Sequence, residues 1–427
     1  MGSSTSSNTT VLFKKEDNFG YRIPALLHIP DTDVLLAISE KRLGPHDENA
    51  DTLMLRKGTY NKSSKNFEWD DVTCIESARL KDHRSMNPCP VYDKETGKIF
   101  LFFIAVYEDM TEQYQISSGR NVTRLCFVTS MDEGKSWSPL NDLTGCQIRQ
   151  YIKNWATFAV GPGHGIQLRS GRLIIPAYAY IKKSNSQSHA FTFYSDDHGE
   201  IWRVGDFLSK EECGECQIVA MNQGNESEIV YCNARSMKHM KHGEHQYRVQ
   251  AFSTDGGGTF TDGCQVKKLV EPPKGCHGSI IHFPASKLSQ VNVYPAIKKH
   301  NFQQEKDASK LTEDFEIILF SHTTSMESRR DLGIYLGTYQ GHPLTWTDPW
   351  IICPGPSAYS ELAFIEVPGI EIPLVACLFE CGSTSESEQI SFTVSRVDEI
   401  IQNILEIKPH DNSFSQERDQ LCFCTFF

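Results

Sequence analysis

The sequence lacks long hydrophobic runs, an excess of positive charge and a secretory leader. No apolar run among its 427 residues approaches the roughly 20 needed to cross a bilayer. A formal net charge of -12 argues against a nucleic-acid groove, which would need a basic face. The polar start MGSSTSSNTT does not resemble a signal peptide. We therefore expect a protein that is not classically secreted, with most of its fourteen cysteines reduced.

Helical spacing is also scarce. Only VDEIIQNILEI, residues 397–407, has the apolar period of a helix. Short β-rich runs such as DVLLAISE, KIFLFFIAV and GRLIIPAYAY recur between Gly, Pro, Asp and Asn clusters. This pattern predicts an all-β protein, with one domain over residues 11–408, a flexible N-terminus at 1–10 and a tail at 409–427.

An internal repeat narrows the architecture. Three segments that begin at Ser130, Ser195 and Ser253 fit S-x-D-x-G-x-x-[W/F], and their starts are 65 and 58 residues apart. That period suits a blade with generous loops, and about 60 to 70 residues per blade gives about six blades. The repeat thus predicts a six-bladed β-propeller of four-stranded antiparallel blades with Asp-box hairpins. We interpret the Asp of each box as structural, because an Asp in a hairpin usually accepts hydrogen bonds from its own turn.

One charge stands out within an apolar run. Arg22 lies inside FGYRIPALLHIP, a strand-like segment with no other charged residue. A guanidinium stays charged at any working pH, so a buried Arg22 must meet a fixed anion or face a polar cleft. The segment therefore predicts a local anion-binding pocket in an acidic protein.

Several motifs occur together in a characteristic order. They are YRIP, HRSMNPCP, WATFAVGPGHG, PAYAY, ECQ, NARS, RRDLGIYL and AYSEL, interleaved with the three Asp boxes. With these motifs, residues 11–396 resemble the exo-α-sialidases (neuraminidases) of the non-lysosomal animal branch, and most of all its membrane-associated ganglioside sialidases. The resemblance implies a six-bladed propeller that hydrolyses terminal sialic acid from glycolipids and glycoproteins.

The resemblance also implies an arginine triad for the sialic acid carboxylate. Its members are Arg22, Arg235 and Arg329, whose planar guanidinium groups suit a carboxylate. Arg330 is a close alternative to Arg329, since the two are adjacent in RRDLG. Glu380 matches a position that supports the first arginine from behind.

Three further positions match catalytic residues of the family. Tyr359 is the expected nucleophile and Glu215 the base that activates it, since sialidases use a tyrosine where most glycosidases use a carboxylate. Asp47 is the expected acid/base, and by chemistry alone its neighbours His46 and Glu48 remain alternatives. The resemblance assigns seven more residues to the pocket: Glu40, Arg42, Met86, Asn87, Glu112, Tyr178 and Tyr180.

Two other patterns point more weakly to metal chemistry. Cys213 and Cys216 form a C-x-x-C without the second pair of a zinc ribbon. His239, His242 and His245 fall in a polar stretch where solvated histidines are the usual outcome. We predict neither metal nor cofactor.

The two ends bear on membrane association. Gly2 fits a myristoylation pattern, and Cys424 formally fits a C-terminal C-a-a-X box with Cys422 nearby. No basic run accompanies either pattern, and one lipid chain alone binds membranes weakly. We expect peripheral association with the plasma membrane or an endomembrane, mainly through the protein surface, with a cytosolic pool as the alternative.

The fold alone leaves other functions open. A non-hydrolytic sialoside-binding propeller would need the arginines but not Asp47, Glu215 and Tyr359. A trans-sialidase would use the same residues as a hydrolase. The sequence indicates neither the linkage preference nor the oligomeric state.

Overall fold

The computed structural model describes seven stretches of the chain: residues 9–182, 187–223, 227–237, 245–289, 293–302, 315–340 and 344–406. Within them the strands form five antiparallel sheets. The first strand, β1 (Thr10–Lys14), joins the last sheet, so the two ends of the described chain meet in one sheet. The other strands follow chain order from sheet to sheet.

The first three sheets cover the N-terminal half of the chain. The first contains β2 (Gly20–His28), β3 (Val34–Arg42), β4 (Ala50–Asn61), β5 (Asn66–Trp69) and β6 (Thr73–Cys74). The second contains β7 (His83–Asp93), β8 (Lys98–Tyr107), β9 (Thr123–Ser130) and β10 (Asn141–Asp142). The third contains β11 (Trp155–Val160), β12 (Ile166–Gln167), β13 (Leu173–Ile181), β14 (Ser188–Ser195) and β15 (Arg203–Val204).

The last two sheets cover the C-terminal half. The fourth contains β16 (Cys213–Asn222), β17 (Glu228–Ser236), β18 (Gln246–Ser253) and β19 (Cys264–Glu271). The fifth contains β1 with β20 (Ser279–Pro284), β21 (Glu316–Thr323), β22 (Arg330–Tyr339), β23 (Thr345–Trp346), β24 (Trp350–Ile365), β25 (Leu374–Cys381) and β26 (Gln389–Arg396).

The sheets are arranged around a common centre, as in a propeller. Strand β2 contacts β7, β7 contacts β12, β12 contacts β16, β16 contacts β20, β20 contacts β24, and β24 contacts β2. The predicted all-β class and propeller-like arrangement are confirmed. The sequence predicted six separate four-stranded sheets, but the hydrogen bonds among the described residues define five sheets. The reason is that β22 pairs with β24 as well as with β21, which joins eight strands into one sheet.

The core lies between neighbouring sheets, where both faces of the middle strands are apolar. Trp202, the aromatic residue of the second Asp box, is 2% exposed and packs edge-on against Phe102 of β8, with ring centroids 4.6 Å apart. Phe100 contacts the same indole at 6.0 Å. The aromatic position of this repeat therefore joins the third sheet to the second.

Helices in the described ranges are few and short. They are α1 (Glu112–Ser118), α2 (Arg149–Ile152), α3 (Val293–Phe302) and α4 (Val397–Glu406), with single 3-10 turns at Asp47–Asn49, Glu76–Ala78 and Ala285–Leu288. Only α4 was predicted from its period. The others lack a long apolar stripe, and α1 begins where the Thr111 hydroxyl accepts the Tyr114 N–H. No helix in this part of the chain is long and apolar enough to cross a membrane.

Candidate active site

A cavity of about 220 Å³ opens at one end of the ring of inner strands. It is lined by twelve of the fourteen residues predicted for the pocket: Arg22, Arg42, Asp47, Met86, Asn87, Glu112, Tyr178, Tyr180, Glu215, Arg235, Arg329 and Tyr359. The other two, Glu40 and Glu380, are fully buried behind arginines. Residues from both ends of the described chain, such as Arg22 and Tyr359, thus meet in one pocket.

Bulges direct the inner strands into this cavity. Four strands that border the cavity each contain a register shift. The shifts lie between Arg22 and Ala25 in β2, Met86 and Cys89 in β7, Cys213 and Cys216 in β16, and Ser357 and Ser360 in β24. A bulge bends a strand and changes where its side chains point. Ile23 and Asn87 take positive φ angles of 58° and 56° in two of these bulges, a strained conformation for a β-branched residue such as Ile23.

Glu380 supports Arg22 from below. Its Oε1 accepts the Arg22 Nε–H at 2.6 Å and the Ile23 backbone N–H at 2.8 Å, and its Oε2 accepts the Tyr359 N–H at 3.3 Å. The carboxylate is fully buried and the Arg22 side chain is 16% exposed. Glu380 therefore fixes the start of β2 and the strand carrying Tyr359 with a single group, while Arg22 still faces the cavity.

A tight turn holds the other two arginines. The Lys274 carbonyl accepts Arg235 Nε–H at 3.1 Å, and the Gly275 carbonyl accepts Arg329 Nε–H and Nη2–H at 3.2 and 3.0 Å. Gly275 has a φ of +67°, and a Cβ there would lie 2.7 Å from Arg235 Nε. Only glycine allows this backbone to approach the guanidinium so closely.

Arg329 and Arg330 point to different places. Arg329 lines the central cavity, and its guanidinium carbon lies 5.3 Å from the Tyr359 ring centroid. Arg330 is half exposed and donates to Asp331 at 2.9 Å, outside that cavity. The geometry favours Arg329 as the arginine of the pocket.

Tyr359 and Glu215 form a direct pair at the cavity floor. The phenol donates to Glu215 Oε1 at 2.6 Å, and Arg235 Nη1 donates to the Tyr359 oxygen at 3.0 Å and to Glu215 Oε2 at 2.7 Å. Burial and the Glu215 charge raise the pKa of Tyr359, so the free protein holds a neutral phenol. Burial alone would raise the pKa of Glu215, but Arg235 and other neighbours hold it below its usual value.

Asp47 stands at the cavity mouth in the 3-10 turn that follows β3. Its side chain is 73% exposed, and Oδ1 accepts Arg42 Nη1–H at 2.6 Å. Arg42 also donates to buried Glu40, whose other oxygen accepts the Asn87 N–H at 2.7 Å. Partial desolvation at the cavity mouth opposes the charge of Asp47, but the guanidinium groups of Arg42, Arg22 and Arg329 outweigh it and lower the pKa of Asp47 overall. The free protein therefore presents Asp47 as a carboxylate.

The opposite wall is aromatic and polar. Tyr178 donates to Glu112 Oε1 at 3.2 Å, and the rings of Tyr178 and Tyr180 meet edge to face at 6.3 Å. Desolvation by the surrounding cavity, together with the carboxylates of Asp47 and Glu215, raises the pKa of Glu112 to about 7 although the residue is solvent-accessible. This wall offers hydroxyl and carboxyl groups beside aromatic rings, which suits a small polar ligand such as a sugar.

Arg84 is a pocket residue that the sequence interpretation missed. It is 6% exposed, lines the cavity, and donates to the backbone carbonyls of Glu108 and, at 2.6 Å, Met110. These carbonyls belong to the segment that leads to Glu112. Arg84 could have been suspected as Arg22 was, because it is a charge inside the β7 run HRSMNPCP.

The patterns weighed for metal chemistry do not converge in the described stretches. Cys213 and Cys216 are buried free thiols, and no group of three or more potential ligands occurs in that part of the chain. His245 is exposed, while His239 and His242 lie outside the described residues. Gly2, Cys422 and Cys424 also lie outside them.

The fold and the site together define a class: propeller-like proteins with Asp-box hairpins and a central pocket lined by arginines and carboxylates. Residues 33–370 match the model of the BNR repeat-like domain. The chain is 42% identical to Sialidase-3 of Mus musculus over 92% of this chain and 96% of that protein. It is 41% identical to Sialidase-2 of Cricetulus griseus, with coverages of 90% and 95%.

Solved structures give the same fold. The Hadza microbial sialidase Hz136 superposes with a TM-score of 0.68 at 20% identity, over 89% of this chain and 66% of that one. The intramolecular trans-sialidase from Ruminococcus gnavus gives 0.66 at 16% identity, over 95% and 100%. The chain therefore belongs to the sialidase family, in its non-lysosomal animal branch.

Proposed function

We propose that the protein is an exo-α-sialidase that hydrolyses terminal sialic acid from gangliosides and other sialoglycoconjugates. The observation that carries this function is the Tyr359–Glu215 hydrogen bond of 2.6 Å inside a pocket that is also lined by Arg22, Arg235 and Arg329. Binding a sialoside would require the arginines alone. A phenol paired with a buried carboxylate is the arrangement of an activated nucleophile.

In this proposal Arg22, Arg235 and Arg329 bind the carboxylate of sialic acid. Each is held by a backbone carbonyl or a carboxylate on one side and contributes to the cavity on the other. Such preorganisation lowers the entropy lost when the anion binds. Charge-assisted hydrogen bonds from planar guanidinium groups are also stronger than neutral ones.

Tyr359 is the nucleophile and Glu215 its base. The anomeric carbon of sialic acid already bears a carboxylate, so a neutral phenol approaches it with less repulsion than an anionic side chain would meet. As the phenolic oxygen bonds to that carbon, Glu215 accepts the phenolic proton. Arg235, 3.0 Å from the same oxygen, stabilises the negative charge that develops there.

Asp47 is the acid/base. It donates a proton to the glycosidic oxygen, which leaves as an alcohol, and later accepts a proton from the water that attacks the sialyl-tyrosine bond. Tyr359 then departs and recovers its proton from Glu215. Asp47 must first be protonated. A bound carboxylate would offset the charges of Arg22 and Arg329, and its own charge would raise the pKa of Asp47.

The remaining predicted residues shape and hold the pocket. Arg42 and Glu40 position the Asp47 turn, while the rest contact the N-acetyl and glycerol groups of the sugar: Met86, Asn87, Glu112, Tyr178 and Tyr180. The hydroxyls and carboxyl on this wall support that assignment, because the glycerol chain needs donors and acceptors. No metal or nucleotide takes part in these steps.

We further propose six blades within one catalytic domain of residues 11–408. In this assignment the eight-stranded sheet comprises two blades, β20 to β23 and β24 to β26 with β1. Two features support it: six inner strands contact in sequence around the ring, and the β22–β24 pairing is interrupted by two register shifts.

The decisive experiment is the release of free sialic acid from a ganglioside and from a soluble sialoside, measured side by side with the purified full chain. Release of free sugar from either substrate supports hydrolysis. Binding without release would support the sialoside-binding alternative, and transfer to an added acceptor sugar with little free product would support a trans-sialidase.

We also propose peripheral membrane association, at the plasma membrane or an endomembrane, with a cytosolic pool as the alternative. The proposed glycolipid substrate supports this location. The protein should sediment partly with membranes and be released by alkaline carbonate. Cys422→Ser combined with Cys424→Ser should leave most of the association intact, whereas a fully soluble double mutant would assign the anchor to the tail.

A further inference from the structure

A second cavity of about 220 Å³ adjoins the central pocket. It lies between the turn at residues 15–19 and the loop at residues 43–45, with Ser387 at its edge. Arg22 and Arg42 line both cavities and form their common wall. A ligand that fills the central pocket could therefore extend past these arginines into the second space.

The position of the acid indicates where the leaving group lies. Asp47 protonates the glycosidic oxygen in the proposed reaction, so the alcohol portion of the substrate must lie beside Asp47. Leu43 is in the same loop, and its N–H donates to the Asn49 carbonyl at 2.8 Å across the Asp47 turn. The loop that carries the acid thus also forms one wall of the second cavity.

The lining of this cavity is apolar on two sides and polar at its rim. Leu43 is 63% exposed, one of the most exposed large apolar side chains in the described residues. Across from it, the Phe19 ring is held by Tyr21 at 5.6 Å and by the Lys41 ammonium at 4.2 Å. Exposed Glu16 and Asp17 lie in the adjoining turn.

These groups suit a neutral sugar. The C–H face of a hexose packs on an aromatic ring or a leucine, and its hydroxyls donate to carboxylates. A different cavity borders the pocket at Arg329 and is lined by Lys274 and Arg330. That cavity would suit an anionic unit better, but it does not involve the loop that carries Asp47.

We propose that the cavity between residues 15–19 and 43–45 is the subsite for the leaving group and accepts the neutral hexose to which sialic acid is attached. The proposal rests on the sialidase function proposed above. It predicts that Leu43 and Phe19 affect substrates that carry this hexose and leave the chemistry of sialic acid itself unchanged.

The test compares sialyllactose with methyl α-sialoside, which has the same sialic acid but no hexose. Leu43→Ser and, separately, Phe19→Ala should lower kcat/KM for sialyllactose by about three- to tenfold, the effect of losing part of an apolar contact. The same variants should hydrolyse methyl α-sialoside within about twofold of the wild type. Arg330→Ala serves as the matched control at the other cavity, and a melting curve of each variant checks folding.

Each outcome has a distinct meaning. An equal loss on both substrates would show that the loop acts on Asp47 and not on the hexose, and no loss on either would also overturn the subsite. A selective loss in Arg330→Ala would assign the hexose to the cavity at Arg329. If the wild type releases sialic acid from neither substrate, the proposed function itself fails.

Discussion

Carboxylates occur at both ends of the propeller strands, in the Asp boxes and in the pocket. Those of the Asp boxes bond residues nearby in the sequence, whereas Glu380 and Glu215 of the pocket bond residues far away in it. In the first Asp box, Asp132 accepts the Ser136 N–H at 2.9 Å and the Ser130 hydroxyl at 2.8 Å. At the pocket end, Glu380 binds an arginine 358 residues away and Glu215 a tyrosine 144 residues away. Local partners stabilise a turn, whereas distant partners assemble a site.

Strand register shows that the Asp boxes and the pocket lie at opposite ends of the strands. Ser130, where the first box begins, pairs with Ile99 at the start of β8, while the other end of β8 leads to the loop before Glu112. About eight residues of strand, at about 3.3 Å each, therefore separate the box from the pocket. The propeller can thus vary its pocket chemistry without altering the turns that hold its sheets together.

The largest expected effect comes from the nucleophile. Tyr359→Phe removes only the phenolic oxygen, so we expect an unchanged melting temperature and a fall in kcat of about a thousandfold or more. Tyr231→Phe is the matched control, since it removes a buried phenol that bonds Asn233 and Gln250 outside the pocket. Near-normal turnover by Tyr359→Phe would mean that the pocket end holds a binding site only.

The next effect concerns the anion. Arg235→Lys or Arg329→Lys keeps the charge but loses the planar fork, and should weaken a sialic-acid-like inhibitor by about 1.5 to 3 kcal/mol. Calorimetric titration gives the value. Arg330→Lys should bind almost as the wild type does, because Arg330 pairs with Asp331 outside the cavity. If Arg330→Lys weakened inhibitor binding more than Arg329→Lys, Arg330 would be the arginine that binds the carboxylate.

A smaller effect concerns pH. Because its pKa is lowered, Glu215 stays charged in mild acid, so activity should persist there. Asp47 must be protonated to act, and we expect kcat/KM for an alkyl sialoside to fall as pH rises from 5 to 8. For an aryl sialoside, whose leaving group needs less protonation, kcat/KM should fall less over the same pH range. Identical pH profiles for the two substrates would argue against Asp47 as the acid.

The smallest effect is expected at the Asp-box end. Asp197 accepts the Ile201 N–H at 2.9 Å and the Ser195 hydroxyl at 2.7 Å. Asp197→Ala should lower the melting temperature by about 2 to 4 °C and leave kcat unchanged. Glu200→Ala, in the same turn, is the control and should shift neither. A large loss of turnover in Asp197→Ala with intact folding would contradict the structural role of the box.

The pH dependence of this stability has a defined sign. Burial would raise the pKa of Asp197, but the hydrogen bonds from Ile201 and Ser195 lower it overall. A group with a depressed pKa stabilises the fold above its unfolded value, near 4, and loses that contribution as pH falls through the folded value. The gap between wild type and Asp197→Ala should therefore close in acid.

Much of the fold was predictable because its signals are local. Alternating strands, turn residues and the Asp box act within a few positions, and α4 was found from its own apolar stripe. The short helix α1 escaped because its start depends on one cap at Thr111 and it lacks a long period. The pairing of β22 with β24, which joins eight strands into one sheet, also escaped, since it is a property of the assembled sheet.

The pocket also has features that the sequence predicts and features that it does not. Arg22 could be singled out from the sequence because a permanent charge inside an apolar run needs a partner wherever the chain folds. The sequence alone determined that Arg22 must meet a fixed anion or face a polar cleft, and its ordered motifs indicated the family. The partners of the three arginines were not encoded in this way. Glu380 meets Arg22 beside a bulge in β2, and the Lys274–Gly275 turn has positive φ angles. A register shift in β22 begins at Arg330, directly after Arg329. Only the tertiary structure decided these, because a bulge changes the direction of a side chain by an amount that no local pattern encodes.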